Sequence, residues 1–224
     1  MIDILLAGVG GQGTVLAAKV LAQAAQSKGW QVRTAETIGM AQRGGNVTSH
    51  VRMGSNGEAV YSPLITPGTA DMVIALEPGE AARALPYLAP GGVLVTATTA
   101  IQPYRAGDVV AALANSLQAE ASHEQAAETI VAPNTVTADQ DASADGVEGY
   151  PVPLFIPVDD EALVREAGAG SRKSLNMMLL AVAVAQGRVP LTVDELKDAV
   201  RACVKPQFVA MNLAAIDTAV ANFG

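Results

Sequence analysis

The sequence predicts an α/β protein in which helices flank an open, mostly parallel sheet. Short apolar runs of strand length alternate with longer segments of helical periodicity through the N-terminal half, as they do in parallel sheets. The first run, Ile2–Ala7, passes through a glycine-rich turn, Gly8–Gly13, into a helical pattern that extends from Thr14 to about Lys28. Strand, glycine turn and helix in this order are typical of Rossmann-like sheets.

Later segments of the N-terminal half extend the same alternation. Gln31–Ala35 is predicted as the second strand. Pro78 begins a helix that extends to about Leu88, because proline is favoured at the first helical position. Two more buried strands flank this helix, Asp71–Leu76 before it and Val93–Ala97 after it.

An inserted β-hairpin is predicted after the second strand. The polar, glycine-rich loop Thr37–Asn46 leads into an alternating apolar and polar run, Val47–Met53. An ordinary dinucleotide-binding fold would enter a crossover helix at this point. Asn56-Gly57 is a typical hairpin turn, so we expect Glu58–Tyr61 to begin the return strand.

The C-terminal region is predicted to be helical around one short strand. Arg172–Gln186 is apolar on nearly all sides, which indicates a buried helix. Thr192-Val193-Asp194-Glu195 is a capping-box pattern that sets the start of the next helix. From residue 108 onward, the predicted elements are the helix Asp108–Leu117, the strand Pro153–Val158 and the helices Glu161–Ala167 (capped by Asp159 or Asp160), Arg172–Gln186, Val193–Cys203 and Lys205 to about Asn222.

Charge is distributed unevenly along the chain. The 224 residues are half hydrophobic and carry a formal net charge of −8, which suits one globular domain over residues 1–224. The segment at about 118–149 holds seven acidic and no basic residues, so we predict a flexible acidic insertion there. The remaining 15 acidic and 14 basic residues nearly balance. No basic stripe is present, and a nucleic-acid partner is therefore not predicted.

Several cofactors and compartments are disfavoured by single residue types. Cys203 is the only cysteine, which excludes an internal disulfide and an iron–sulfur cluster held by this chain alone. The two histidines, His50 and His123, show no zinc-type spacing. The longest apolar run, Met177–Ala185, is too short to span a membrane, and the strand-like N-terminus resembles no signal peptide. We therefore expect a cytoplasmic protein with no membrane partner.

The glycine turn is a candidate anion site. Glycines let a ligand approach the backbone closely, and the following helix directs its unpaired N–H groups and positive dipole end to the same point. Glu36 lies roughly where a dinucleotide-binding fold places the acid that holds a ribose, which favours an NAD-type site. The glycine-rich loop after Glu36 argues against that interpretation. Close packing of strand and helix, without a ligand, also accounts for such a turn.

Three motifs together resemble one family, the gamma subunits of 2-oxoacid:acceptor (ferredoxin) oxidoreductases, and within it the indolepyruvate-type subunits. They are the glycine turn Gly8–Gly13, Glu36 with the loop Gly39–Gly45, and Ser49-His50-Val51-Arg52. The C-terminal segments Ser174–Leu180 and Val204–Asn212 are similar to the closing region of that family. The resemblance covers nearly the whole chain apart from the acidic segment.

The resemblance implies a reaction that this chain does not run alone. The family converts a 2-oxoacid, coenzyme A and oxidised ferredoxin into an acyl-CoA, carbon dioxide and reduced ferredoxin. Thiamine diphosphate, Mg²⁺ and [4Fe-4S] clusters are expected on a large catalytic partner subunit, in a heterodimer or heterotetramer that passes electrons to ferredoxin. This chain is expected to bind no cofactor alone, to complete the active-site or coenzyme A region, and to act on indolepyruvate or another aryl pyruvate.

The same resemblance assigns ligand or interface contacts to small, polar and basic residues, and assigns no catalytic or metal-binding residue with confidence. These contact residues are Gly8, Gly10, Gly11, Gln12, Gly13, Thr14, Gly39, Met40, Arg43, Gly44, Gly45, Ser49, His50 and Arg52. Structural roles are open for several of them: a solvated Arg43, a hydrogen-bonded sheet residue at His50, an ion pair from Arg52 to Glu36 or Glu58. Asn176 is expected to cap backbone groups rather than contact a ligand.

Two other functions remain open at this point. A stand-alone NAD or FAD binding protein would use the glycine turn and Glu36. A non-catalytic assembly subunit would keep the fold without the ligand, and substitution of Arg43 or Arg52 would then leave the activity of a complex unchanged.

Overall fold

One sheet of six strands forms the centre of the protein in the computed structural model, which describes residues 1–39, 45–100, 109–117, 153–168 and 172–224. The strand order is β2-β3-β1-β4-β5-β6. The strands are β1 Ile2–Val9, β2 Gln31–Ile38, β3 Asn46–Gly54, β4 Ala70–Ala75, β5 Leu88–Ala97 and β6 Leu154–Val158. β1, β4, β5 and β6 pair in parallel, so the predicted open, mostly parallel sheet is confirmed.

The inserted hairpin consists of β2 and β3. β3 runs antiparallel to both of its neighbours, β2 on one side and β1 on the other. The predicted return strand at Glu58–Tyr61 is therefore wrong: both edges of β3 are already occupied by hydrogen-bonded strands, and no edge is left for it. Residues Ser55–Gly57 form a single 3-10 turn instead, and 58–61 continue without strand structure.

Seven α-helices are present in the described ranges. They are α1 Thr14–Ser27, α2 Pro78–Ala84, α3 at 109–117, α4 Asp160–Glu166, α5 Leu175–Ala185, α6 Val193–Cys203 and α7 Pro206–Phe223. Asp159 caps α4 by accepting the N–H of Ala162, and Thr192 with Glu195 forms the predicted capping box at α6. None of the helices in these ranges is both long and apolar enough to cross a membrane.

Two apolar layers cover the two faces of the sheet. The first face packs against α1, α5, α6 and α7, and here Ile4 and Leu6 of β1 are fully buried. The second face packs against α2 and α3, and receives Leu5 and Ala7 of the same strand. The alternation of β1 side chains between these layers fixes its register. The predicted all-round burial of α5 is confirmed, since ten of its eleven residues are buried.

Other element boundaries also differ from the sequence prediction. β2 extends to Ile38, beyond the predicted end at Ala35, and β3 begins at Asn46, because the two strands pair along their full length. The helix expected to reach Leu88 ends at Ala84 and is followed by a 3-10 turn, because Pro86 removes a backbone donor. β5 begins at Leu88, earlier than Val93. The acidic segment at 118–149, the candidate cap Asp108 and the loop 40–44 lie outside the described residues.

Candidate functional site

The carboxyl ends of β1 and β4 form the crevice at which an open α/β sheet usually binds its ligand. β1 leads into α1 on the first face, whereas β4 leads into α2 on the second face. Two neighbouring parallel strands whose connections diverge in this way leave a gap between them at the sheet edge. The glycine turn between β1 and α1 lies on one side of this gap.

The glycine turn is held against the β2–β3 loop. The N–H of Gly10 donates to the carbonyl of Gly45 at 2.9 Å, and the N–H of Gly39 donates to the carbonyl of Asn46 at 2.8 Å. The turn closes on itself through the N–H of Gln12, which donates to the carbonyl of Val9 at 3.1 Å. The structure thus brings together the two glycine-rich motifs that lie about thirty residues apart in the chain.

Gln12 spans the crevice from the turn to the start of α2, just after β4. Its side-chain Oε1 accepts the N–H of Val9 at 2.7 Å, and its Nε2 donates to Oε1 of Glu77 at 2.7 Å. Glu77 directly precedes α2 and is only 7% exposed. A side chain at Gly8 would meet Oε1 of Gln12 at 2.8 Å, so glycine at that position makes room for the bridge.

Asn176 holds the other end of the turn from α5. Its Nδ2 donates to the carbonyl of Gly13 at 3.1 Å, while its Oδ1 accepts the N–H of Met177 at 2.9 Å. Both polar atoms of this buried amide are therefore engaged with backbone groups. This confirms the expected capping role, and it explains why Gly13, with φ +84°, has no room for a side chain: a Cβ would lie 2.5 Å from Nδ2.

The start of α1 leaves backbone donors at the site. Among the described residues, Ala17 is the first helical residue whose N–H has a partner, the carbonyl of Gly13 at 3.0 Å. The N–H groups ahead of it are the unpaired donors of a helix N-terminus, and no acidic side chain lies in the first turn to neutralise them. Thr14 is buried and Val15 is 45% exposed, so this helix end faces both the crevice and solvent.

Ser49, His50 and Arg52 lie on β3 at increasing distance from the glycine turn, and Ser49 faces the opposite layer from the other two. Ser49 pairs with Leu6 and faces the first layer, where it is fully buried; its Oγ has no hydrogen-bond partner among the described residues. His50 and Arg52 face the second layer. Neighbouring strand residues point to opposite faces, so Ser49 approaches from one face of the sheet and His50 and Arg52 from the other. The ligand or interface contacts expected of these three residues stay a prediction.

His50 is a hydrogen-bonded sheet residue beside a small polar cleft. Its Nδ1 accepts the N–H of Ile65 at 3.3 Å, and its ring packs edge-on to Tyr87 with centroids 5.9 Å apart. The cleft has a volume of about 200 Å³ and also receives Glu80 and Arg83 from α2. Burial lowers the pKa of His50 and raises the pKa of Glu80, because burial disfavours the charged form of each group.

Arg52 lies at the opposite end of the sheet. It pairs with Asp3, which stands six residues before the end of β1, so Arg52 is about 20 Å from the glycine turn along the strand. Its Nε contacts Oδ1 of Asp3 at 3.0 Å, and its Nη1 donates to the carbonyls of Ser62 and Leu64. The predicted pairing with Glu36 or Glu58 is wrong, and Glu58 instead pairs with the N-terminal amine.

Glu36 is displaced from the position that a dinucleotide-binding fold would give it. β3 lies between β2 and β1, so Glu36 on β2 is two strand spacings, about 10 Å, from the strand that carries the glycine turn. A ribose held at the turn would not reach it in the usual way. This geometry argues against the NAD-type interpretation.

Two further polar groups at the carboxyl edge have contacts that the sequence did not indicate: Asp160, expected only as an alternative helix cap, and Arg172. Asp160 is fully buried and accepts the N–H groups of Thr98 and Thr99 at 3.1 and 2.9 Å. Arg172 pairs with it at 3.0 Å and donates to the carbonyl of Thr99. Glu77 was not singled out from the sequence either. A single acidic residue after a strand has no local pattern that distinguishes a buried residue from an exposed one.

Thiol and carboxylate groups do not assemble into a metal centre in the described part of the chain, where no three His, Cys, Asp or Glu residues are grouped to hold an ion. Cys203 lies on α6 with its Sγ 3.9 Å from the carbonyl of Lys19, and burial raises the pKa of its thiol. A single protonated thiol does not fit a cluster that needs several thiolates.

Comparisons with known proteins cover almost the whole chain. A family model described as pyruvate ferredoxin/flavodoxin oxidoreductase matches residues 3–222. Indolepyruvate oxidoreductase subunit IorB of Archaeoglobus fulgidus is 32% identical over 215 residues, 96% of this chain and 92% of that relative. The protein of the same name from Pyrococcus horikoshii is 30% identical over 218 residues, 97% and 94% of the two chains.

Solved structures show the same fold at lower identity. The gamma subunit of keto/oxoacid ferredoxin oxidoreductase from Geobacter sulfurreducens has a TM-score of 0.62 at 20% identity and covers 99% of this chain and 97% of its own. The 2-oxoglutarate:ferredoxin oxidoreductase of Magnetococcus marinus has a TM-score of 0.64 at 19% identity, with 98% of this chain matched to 30% of the longer one. The chain therefore belongs to the pyruvate ferredoxin/flavodoxin oxidoreductase family and is a small, IorB-like subunit of a 2-oxoacid:ferredoxin oxidoreductase.

Proposed function

We propose that this chain serves a complex that oxidatively decarboxylates indolepyruvate, or another aryl pyruvate, to an acyl-CoA and carbon dioxide, with electrons passed to ferredoxin. The observation that supports the substrate is the end-to-end similarity to two subunits named for indolepyruvate oxidoreductase. Similarity over more than nine-tenths of both chains means that the whole unit is shared, rather than one motif.

The chemistry of this reaction belongs to a large partner subunit. Thiamine diphosphate there supplies the carbanion chemistry, and iron–sulfur clusters take up electrons. The single cysteine of this chain supports that division, because a [4Fe-4S] cluster takes four thiolates. The chain is then inactive alone and essential in the complex.

The contribution of this chain is to complete the active-site or coenzyme A region of the complex with the glycine turn and the β2–β3 loop. Their joined position at the carboxyl edge, together with the unpaired N–H groups at the start of α1, supports contact with an anionic group such as a phosphate. Arg43 in the loop sequence adds a cation. The Magnetococcus marinus relative was solved with coenzyme A and succinyl-CoA bound, in a chain about three times longer than the matched unit.

Capture of the partner is the first test. Tagged chain is expressed in the native host and purified, and the co-purifying proteins are identified by mass and by thiamine diphosphate and iron content. We expect one large partner that contains both. Recovery of the chain alone, or as a homodimer, contradicts the proposal.

The assembled complex gives the second test. We expect ferredoxin reduction that requires indolepyruvate, coenzyme A and both chains. Arg43→Ala is expected to raise the KM for coenzyme A about tenfold, the loss of one charge-assisted contact to phosphate. Arg33→Ala is the matched control, since Arg33 is exposed on β2 and its side chain donates a hydrogen bond to the carbonyl of Val32 next to it in the chain. Equal KM values for coenzyme A in the two variants would contradict a contact between Arg43 and coenzyme A.

Titration of the isolated chain with NAD, NADP and FAD tests the alternative of a stand-alone dinucleotide binder. We expect no binding, because of the displaced Glu36 and because Gln12 already fills the inner side of the turn. Micromolar affinity for one of the three would favour that alternative over the oxidoreductase subunit.

A further inference from the structure

The bridge between the glycine turn and β4 has no role in the function proposed so far. Gln12 and Glu77 close the crevice between β1 and β4 through one hydrogen bond of 2.7 Å. We propose that this pair is a latch that positions the glycine turn for its contact with the catalytic partner or the partner's ligand. The role of Gln12 and Glu77 as positioning residues depends on the proposed function of that turn.

The orientation of the Gln12 amide is fixed by its two partners. The N–H of Val9 is a donor and requires the amide oxygen, whereas the Glu77 carboxylate is an acceptor and requires the amide nitrogen. The observed conformation of the turn makes both bonds at once. Gly8 lies directly beneath, where a Cβ would strike both Oε1 of Gln12 and the methyl group of Thr14 at 2.8 Å.

The electrostatic surroundings make Glu77 dependent on Gln12. Glu77 is 7% exposed, and the first turn of α1 and the whole of α5 contribute no charged side chain near the crevice. Among the described residues, the other ionisable groups on this side are His50 and the pair Glu80 and Arg83, whose charged atoms lie 3.2 Å apart. A buried carboxylate that loses its donor is costly, so the latch resists opening.

A single-atom change tests the latch. Gln12→Glu replaces the amide donor with an oxygen and places two carboxylates at hydrogen-bond distance, which is tolerated only when they share a proton. The variant therefore has an open latch at neutral pH and a closed one in acid. The exchanged double variant Gln12→Glu/Glu77→Gln restores one acceptor and one donor and closes the latch at both pH values.

Amide hydrogen exchange of the isolated full-length chain is the first readout. At about pH 7.5 we expect exchange at Val9 and through the turn to rise about tenfold in Gln12→Glu and to return to the wild-type rate in the exchanged double variant. Gln26→Glu is the matched control, because Gln26 is an exposed glutamine on α1, the helix that follows the turn. Unchanged exchange in Gln12→Glu, or no recovery in the double variant, overturns the latch.

Assembly with the catalytic subunit is the second readout. We expect Gln12→Glu to weaken assembly, or to lower the kcat/KM of the complex, about tenfold at neutral pH relative to Gln26→Glu, with recovery near pH 5.5 and in the double variant. If hydrogen exchange rises in Gln12→Glu and recovers in the double variant, but assembly and kcat/KM stay unchanged, the pair is only structural and the positioning role is refuted. If the wild-type chain does not assemble at all, the proposed function itself has failed, and the positioning role fails with it.

Discussion

Gly13→Ala is expected to destabilise the protein through two separable effects. Gly13 has φ +84°, a left-handed conformation that costs other residues about 1–2 kcal/mol. An added Cβ also lies 2.5 Å from Nδ2 of Asn176, which must move and give up its bond to the Gly13 carbonyl. Loss of that bond and the local overpacking add about 1–2 kcal/mol, for a total of about 2–4 kcal/mol.

Gly29→Ala separates the backbone effect from the steric one. Gly29 has a similar φ of +78°, but no described residue beyond its chain neighbours has an atom within 4 Å of the added Cβ position, so only the backbone cost of about 1–2 kcal/mol applies. The free energy of unfolding of each variant is measured by urea denaturation of the isolated chain. We expect Gly13→Ala to lose at least about 1 kcal/mol more than Gly29→Ala.

A double-mutant cycle with Asn176→Ala completes the test. Asn176→Ala removes the clash, so the double variant Gly13→Ala/Asn176→Ala is expected to be more stable than the sum of the single losses by about 1 kcal/mol. Equal losses in Gly13→Ala and Gly29→Ala, or strict additivity in the cycle, would refute the contact between Asn176 and the turn as the reason for glycine at this position.

Three further predictions concern buried polar groups. Asp160→Asn is expected to lower the free energy of unfolding in urea by about 3 kcal/mol, because Arg172 loses the negative charge of its ion-pair partner. Asp159→Ala, which removes the neighbouring helix cap, is expected to cost about 1 kcal/mol. Burial holds the pKa of His50 below its ordinary value of 6.5, so the folded state binds fewer protons and its stability falls as pH drops below about 6.5. His50→Asn keeps an acceptor for the backbone N–H and is expected to flatten that pH dependence; an unchanged slope would contradict it. Arg52→Ala is expected to lower the free energy of unfolding by about 2 kcal/mol, because the largely buried ion pair with Asp3 is lost. The affinity of the folded chain for its catalytic partner is expected to stay within about threefold of wild type. A large loss of affinity would instead support a ligand or interface contact of Arg52.

Local patterns in the sequence predicted a large part of the fold. The strand, glycine turn and helix at Ile2–Ser27 follow from apolar runs and glycine spacing, and the capping box at Thr192 follows from residues three positions apart. Burial of α5 follows from its uniformly apolar surface. Each of these features is set by interactions between residues that are close in the chain, and such interactions leave a readable pattern.

Pairing between distant segments could not be predicted in the same way. Val47–Met53 was correctly predicted as a strand, but its alternation does not say which strands lie beside it. β1 occupies the edge that the predicted return strand would have used, and the same insertion of β3 moves Glu36 away from the glycine turn. Whether a segment forms a strand is determined largely by its own residues, whereas the strands that pair with it depend on the packing of the whole sheet.

The sequence by itself determined the Rossmann-like fold class, the glycine turn that precedes α1 and the family resemblance that the comparisons confirmed. Only the tertiary structure decided which residues lie at the carboxyl edge of the sheet. It placed Arg52 at the far end with Asp3, buried Ser49 in the first layer and brought Glu77 and Asn176 to the turn from positions 65 and 163 residues away from their partners. The physical reason is that strand direction and register assign each side chain to one end and one face of the sheet, and both are fixed by long-range hydrogen bonds and core packing.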